Sequence, residues 1–498
     1  SLLGADMLYV DNNGKEIPIP VTHNYSEGLT PAEYFAGAFG ARKGTIDVKM
    51  GTAKSGFASK QLNAITHRLL VTAKDQEDEY DPTTLRGLPV DTSDSSNVGA
   101  LLAHEIGGYK RNQTLTPRIL KDLKAQGVDN ILVRSPTVGG PKDGGVYAYD
   151  TGVRERGGLA PTGDWVGLAG AQAIGETITQ SLLASKHSGG VAGSATGGAI
   201  GFPAFNNLMQ APEVFPGAAS HAQRDGRVQS IVDAPQGGTF VTIDGQEHHV
   251  PVGRKITVKP HDEIEAGDML SDGIPHPSEI VKYKGIGDGR RYFTNAMRQV
   301  AVDSGTKAHR RNIELIARGL INHVRLTDEY EDGVPGEAMP YQTLEANWVP
   351  RDGHTIGSPS SMKHSYLEKP VLHYTIGTRI TPSVIKQMGQ YGVKQIYAHK
   401  APPPFEPEMV RAMASTAEDR DWMTNMLGSY QKASLLDAAH RGRSADTQGS
   451  SYVPALAAGS TFGVSGLTKG WDPKEGIQLG PDFTTKPAKP AAPSALDL

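Results

Sequence analysis

Gln180, Leu183 and His187 lie at i, i+3 and i+7 in the run GDWVGLAGAQAIGETITQSLLASKH, so a helix would gather an amide, an apolar patch and a titratable ring on one face. A single helical histidine is more often structural than catalytic, and the spacing alone does not choose between them. A second set of residues is basic: Arg42, Lys49 and Lys60 form a stripe at helical spacing, with Lys43 and Lys54 beside it. Such a stripe suits phosphate contacts, and it equally suits a solvated helix face. His248 and His249 invite a metal reading, but no third ligand stands at fixed spacing, so they read as exposed strand residues. Gly285, Gly287 and Gly289 have neither the spacing nor the acidic residue of a dinucleotide fingerprint.

The basic stripe needs a long helix to carry it. Thr30, Pro31 and Glu33 make a capping box with proline at the first helical position. A helix from there to near Thr66 would span about 50 Å. Each interior glycine should cost about 1 kcal/mol against alanine. At about 100° per residue, Gly37, Gly40, Gly44 and Gly51 share one face, and Phe35, Phe39, Ile46, Met50, Ala53 and Phe57 share another. A helix bare on one side, apolar on a second and basic on a third suits the crossing of a nucleic-acid channel. The helix bearing His187 runs into six glycines between Ser188 and Gly201, which makes that segment a candidate lid.

With 498 residues the chain has room for about three domains. A net charge of −4 gives no overall nucleic-acid signal, so any basic surface is local. Absence of cysteine excludes disulfides, thiolate zinc sites and cysteine nucleophiles. Without a long apolar run or a secretory leader pattern, the expected protein is soluble and cytoplasmic with no membrane partner. Its first residue, Ser1, is expected to reflect processing or a boundary.

The run GLTPAEYFAGAFGARKGTIDVKMGTAKSGFASKQL resembles the bridge helix of β′, the largest subunit of bacterial multisubunit DNA-dependent RNA polymerases. The family's GARKG, TA pair and SG-aromatic stand here at residues 40–44, at Thr52 with Ala53, and at Ser55, Gly56 and Phe57. The run around His187 is similar to the family's trigger loop, GEAVGxxAAQSIGEPGTQxTMRTFHxGG. By that resemblance Thr52 and Ala53 face the incoming nucleoside triphosphate, Gln180 contacts its ribose, Leu183 packs on its base and His187 approaches its β-phosphate. Where the family has Arg after the Met, this chain has Ala184, with Lys186 two residues on as a partial replacement for the lost charge. The resemblance implies the same nucleotidyl transfer, tuned differently.

The implied fold class is α+β multidomain: a long bridge helix, trigger-loop helices, a small β-barrel insertion and a helical C-terminal lobe. The boundaries are lead-in strands at 1–28, bridge helix at 29–73, and a connector lobe at 74–160 lacking the family's zinc-binding cysteines. The trigger-loop region at 161–224, the barrel insertion at 225–280 and a basic helical pair at 281–330 follow. A divergent lobe at 331–420, a base segment at 421–470 and a flexible tail at 471–498 complete the chain. In the helical pair Arg290, Arg291, Arg310 and Arg311 join Arg42, Lys43, Lys49 and Lys54 as expected nucleic-acid contacts. The family's NADFDGD carboxylates for Mg²⁺ do not occur in this sequence. A split β′ subunit is therefore the expectation, with the Mg²⁺ ligands on an N-terminal β′ fragment, β-like subunits completing the enzyme, no zinc, and a specificity factor as a further candidate partner. Zinc-free and with an altered trigger helix, it resembles the split subunits of large bacteriophages. DNA template, RNA product and nucleoside triphosphates would be its ligands, and host cytoplasm or a virus particle its location. The alternative is a catalytically dead polymerase-like structural or nucleic-acid-binding protein.

Overall fold

The computed structural model describes residues 8–11, 15–24, 26–75, 85–154, 157–187, 202–213, 217–306, 308–331, 333–412, 414, 438–442, 468–472 and 476–479. Residues 47, 48, 50–52, 178, 180–187, 468–472 and 476–479 are described as backbone alone. The base segment and the tail lie mostly outside the described residues.

Helix α1, Pro31–Thr66, begins and ends where the sequence places it. Thr30 Oγ1 accepts from Glu33 N–H at 3.3 Å and Glu33 Oε2 accepts from Thr30 N–H at 2.8 Å, completing the capping box. Glu33 also accepts from the N–H groups of Thr22 and His23 at 2.9 and 3.2 Å, tying the lead-in to the helix start. His23 Nδ1, then the Thr30 and Thr22 N–H groups, hold this carboxyl well below the usual range. Instead of strands, the described lead-in contains isolated bridges, among them Val10 to Glu16.

Further helices follow: α2 Pro117–Ala125, α3 Ala148–Thr151, α4 Val166–His187, α5 Phe202–Gln210, α6 Pro277–Asp303, α7 Arg310–Leu320, α8 Tyr341–Asn347 and α9 Pro382–Gln390. The main core lies where α1, α4, α5, α6 and α7 meet, with Leu62, Phe293, Ala317 and Leu320 fully buried. α6 breaks at Gly285 (φ 88°), and a Cβ at Gly287 would sit 2.0 Å from the His373 carbonyl oxygen. The glycines of this run therefore serve a kink and a close backbone crossing.

The barrel insertion is a four-stranded antiparallel sheet in the order Gln246–Val250, Thr239–Ile243, Gly226–Asp233, Glu263–Ile264. Asp244 and Gly245, at φ 44° and 82°, form its two-residue hairpin turn, as the Asp-Gly pair predicts. His248 corrects the expectation of exposure: it is buried, and its Nε2 accepts from Gln223 N–H at 3.1 Å. His249 faces Phe240 across the hairpin with ring centroids 5.3 Å apart.

In the connector lobe Leu88–Asp91 pairs antiparallel with Asn130–Val133, and α2 covers the sheet. Arg134 does the cross-linking there. Its Nε donates to Asp150 at 2.8 Å, and its Nη1 reaches Asp75 and Asn112. The divergent lobe is built as firmly as the rest. A sheet of Thr355–Gly357, Ile396–His399 and Tyr366–Leu367 packs with α9 around Ile380, Met388 and Ala398. Arg351 and the Trp348 Nε1–H both bind Glu368, which is buried.

Candidate active-centre helix pair

The close packing of α1 with α4 follows from small residues. A Cβ at Gly167 would lie 2.3 Å from the Thr66 carbonyl oxygen, and one at Gly175 would lie 2.9 Å from Ser59 Oγ. Eight steps forward along α4 thus correspond to seven steps back along α1, so the helices run antiparallel in matched register. Continued at the common rise of about 1.5 Å per residue, this register brings Thr52 and Ala53 level with residues 181–182, inside the span from Gln180 to His187. α7 closes the other side, with a Cβ at Gly319 only 2.2 Å from the Ile65 carbonyl oxygen.

The side chains of Thr52, Gln180, Leu183, Lys186 and His187 lie outside the described residues, as does the glycine-rich segment 188–201. Ala53 is exposed on α1. Arg42, Lys49 and Lys54 are exposed and Lys43 is half-buried. Phe35, Phe39 and Phe57 share their outward side at 66, 39 and 52% exposure.

The glycine face is a correction. Glu33, Ala36, Gly40, Ser55, Ala58, Leu62 and Ile65 are buried, and all point within about 50° of one direction on the helix wheel. Gly37 and Gly40 lie on that inward side. A Cβ at Gly40 would lie 2.2 Å from the Tyr9 ring, so the chain's own lead-in covers the glycine there. The sequence signal for this was present in the aromatic of MLYV, but no periodicity connects it to Gly40.

The basic helical pair is corrected too. Arg290, Arg310 and Arg311 are buried, which removes them from any phosphate-facing surface of this chain. Arg310 Nε donates to Glu314 at 2.7 Å, Arg311 reaches the same carboxylate, and Ser135 Oγ adds a third donor at 2.8 Å. Burial opposes ionisation of Glu314, but Arg311 and Arg310 outweigh it and hold the carboxyl below its ordinary range. Arg290 donates to the carbonyls of Ile321 and Thr137 at 2.8 and 2.9 Å, and burial lowers its pKa to about 9. Arg318, a further cation of the basic pair, is buried deeper still and binds the Pro136 carbonyl at 2.6 Å. Arg-Arg-Asn-Ile-Glu in α7 carried the signal, because arginines three and four residues before a glutamate can satisfy each other inside a core. Arg291 is half-buried and stays beside a shallow groove with Lys284 and Lys386.

Comparison with known proteins gives this geometry a context. Residues 28–231 match the family model described as RNA polymerase Rpb1, domain 5. The chain is 29% identical over 361 residues to DNA-directed RNA polymerase subunit beta′ of Natranaerobius thermophilus, covering 69% of this chain and 29% of that protein. It is 30% identical over 366 residues to the subunit beta′ of Tropheryma whipplei, covering 69% and 28% respectively. A third relative, the subunit beta′ of Acetivibrio thermocellus, is 30% identical over 348 residues, covering 66% and 29%. The chain therefore spans less than a third of the length of these relatives. These matches support a multisubunit RNA polymerase protein. More particularly, they support one related to the C-terminal region of β′. No helix among the described residues is long and apolar enough to cross a membrane.

Proposed function

We propose that the chain supplies the bridge-helix and trigger-loop part of a DNA-directed RNA polymerase, taking part in nucleotide selection, nucleotidyl transfer and translocation. α1 is the bridge helix in this reading and α4 opens the trigger loop. Thr52 and Ala53 present the α1 surface to the incoming nucleoside triphosphate and the template base. Gln180 holds the ribose, Leu183 covers the base, and His187 with Lys186 approaches the phosphates, where an imidazolium orients charge and donates a proton to the leaving pyrophosphate. Arg42, Lys43, Lys49 and Lys54 neutralise nucleic-acid phosphates, with Arg291 as a more distant candidate.

The observation that carries this reading is the antiparallel register of α1 and α4, which levels the two sets of residues along one helix pair. Mg²⁺ would supply charge neutralisation at the transferring phosphoryl group. In this reading its ligands lie on a partner chain, because the family's NADFDGD carboxylates do not occur in this sequence. The partners in this reading are the remainder of β′, a β-like subunit and a specificity factor, with a bacteriophage polymerase as the favoured source and host cytoplasm or virus particle as location.

The test is isolation of the native assembly under mild conditions, identification of its chains by mass spectrometry, and an assay of nucleotide incorporation on a DNA template. Co-purified chains carrying the carboxylate motif, with incorporation slowed about a hundredfold or more by His187→Ala, are expected. An assembly without such chains and without incorporation overturns the catalytic reading in favour of a structural or nucleic-acid-binding role.

A further inference from the structure

A cavity of about 340 Å³ is lined by the loop 136–142 and by other residues of the connector and divergent lobes. Its walls carry Arg86, Arg134, Lys142 and Lys369 against the carboxylates of Asp150 and Glu345. Arg134 is fully engaged with Asp75 and Asp150. Arg86 is not: its Nη1 pairs with Glu345 at 2.7 Å, while its Nε is buried with no hydrogen-bond partner. The Lys369 ammonium stands 4.2 Å from the centroid of the Tyr397 ring, a contact that leaves its charge unneutralised.

Behind the same loop lie the two buried arginines described above. Arg318 donates to the carbonyls of Pro136 and Gly145 at 2.6 and 2.9 Å, and Arg290 to that of Thr137. Neither has a carboxylate within ion-pair distance among the described residues. Buried cations that end on carbonyls are expensive, and their field acts through a wall of low dielectric into the space in front of it. Burial lowers Arg318 to about 10, the mark of a cation that its surroundings have not fully compensated. Gly140 allows this arrangement, since a Cβ there would sit 2.3 Å from an Arg318 nitrogen. Among the described residues, the cavity's cations, wall and backing together, outnumber its carboxylates.

We propose that this cavity is a binding site for a small phosphate-bearing anion, contacted by Lys142, Lys369 and Arg86, with Arg290 and Arg318 supplying the field behind it. Its volume is at the small end of the roughly 300–1,000 Å³ typical of ligand sites, which suits pyrophosphate or a mononucleotide and excludes a nucleic-acid strand. A phosphate group, carrying about two negative charges and three acceptor oxygens, matches a ring of separated donors better than a flat carboxylate does. The inference does not rest on the polymerase reading.

The test is calorimetric titration of the whole chain with pyrophosphate, and in parallel with succinate as a dicarboxylate of similar charge. Saturable one-site binding of pyrophosphate is expected, weakened about tenfold by Lys369→Ala and by Lys142→Ala, with circular dichroism unchanged. Lys386→Ala, in the separate groove beside α9, should leave it untouched. Absence of saturable binding overturns the proposal. So does equal weakening by all three substitutions, which marks diffuse charge attraction, and so does succinate binding as tight as pyrophosphate.

Discussion

Gly167→Ala and Gly56→Ala make the same chemical change in two helices of one packed pair, and the structure predicts opposite signs. At Gly167 a new methyl would lie 2.3 Å from the Thr66 carbonyl oxygen and 2.6 Å from Leu69 Cβ. Both neighbours belong to the end of α1 and the turn after it, so relief requires the helices to part by close to an ångström. Overpacking of this kind costs about 1–3 kcal/mol, against at most about 1 kcal/mol gained from alanine's helix propensity. A net loss of about 1–2 kcal/mol follows. At Gly56 nothing lies within 4 Å of the added atom, so only the propensity remains and a gain of about 0.5–1 kcal/mol is expected. A chain of several lobes need not unfold in one step, so the readout is native-state hydrogen exchange at amides 58–66 of α1, reported as the opening free energy of that segment. Unchanged protection in Gly167→Ala, or lowered protection in Gly56→Ala, would refute the matched close packing from which the active-centre register is derived.

Two further outcomes test other parts of the molecule. Arg134→Met should leave Asp150, whose side chain is 5% exposed, as an unpaired buried carboxylate, costing the connector lobe about 3–5 kcal/mol as read by exchange at 130–133; Arg134→Met combined with Asp150→Leu should recover most of it, and failure of the double variant to recover would mean that the pair acts through more than its charges. Stability should fall on mild acidification: burial holds His67 near a pKa of about 3 and His323 near about 4, while the unfolded chain takes up these protons near pH 6.5, so from there downward the unfolded state binds more protons, at about 1.4 kcal/mol per pH unit for each group. Urea midpoints measured from pH 7 to 4.5 report this before Glu33 and Glu314, both held below the ordinary carboxylate range, contribute. His323→Gln should flatten the slope, and a midpoint constant across that range refutes the assignment.

Local signals in the sequence translated into structure wherever the cause was local. The capping box at Thr30 and Glu33, the stop at Thr66, the Asp244-Gly245 turn and the break at Ser304 and Gly305 all depend on neighbours within a few residues. What failed to show was partnership across hundreds of residues. Arg290, Arg310 and Arg311 carry the same composition signal whether they face phosphate or Glu314 and carbonyls, and only the third dimension separates those cases. The glycines of α1 were read as making room for a ligand. Tyr9, more than twenty residues upstream, takes up that room at Gly40. The α1 and α4 motifs were legible as motifs, and their antiparallel register was not.

The placement of α1 also sets an order of events during synthesis. Its apolar face, Ala58, Leu62 and Ile65, is covered by α4 and by residues near Ile316 and Leu320 of α7. Roughly 250 residues separate the end of α1 from α7, and at about 5–20 residues per second the ribosome needs on the order of 10–50 s to deliver them. For that interval a glycine-rich helix with a sticky stripe stands without the part of its cover that α7 supplies. The chain is thus a natural client for a nascent-chain chaperone, and slowing translation between α1 and α7 should increase its aggregation.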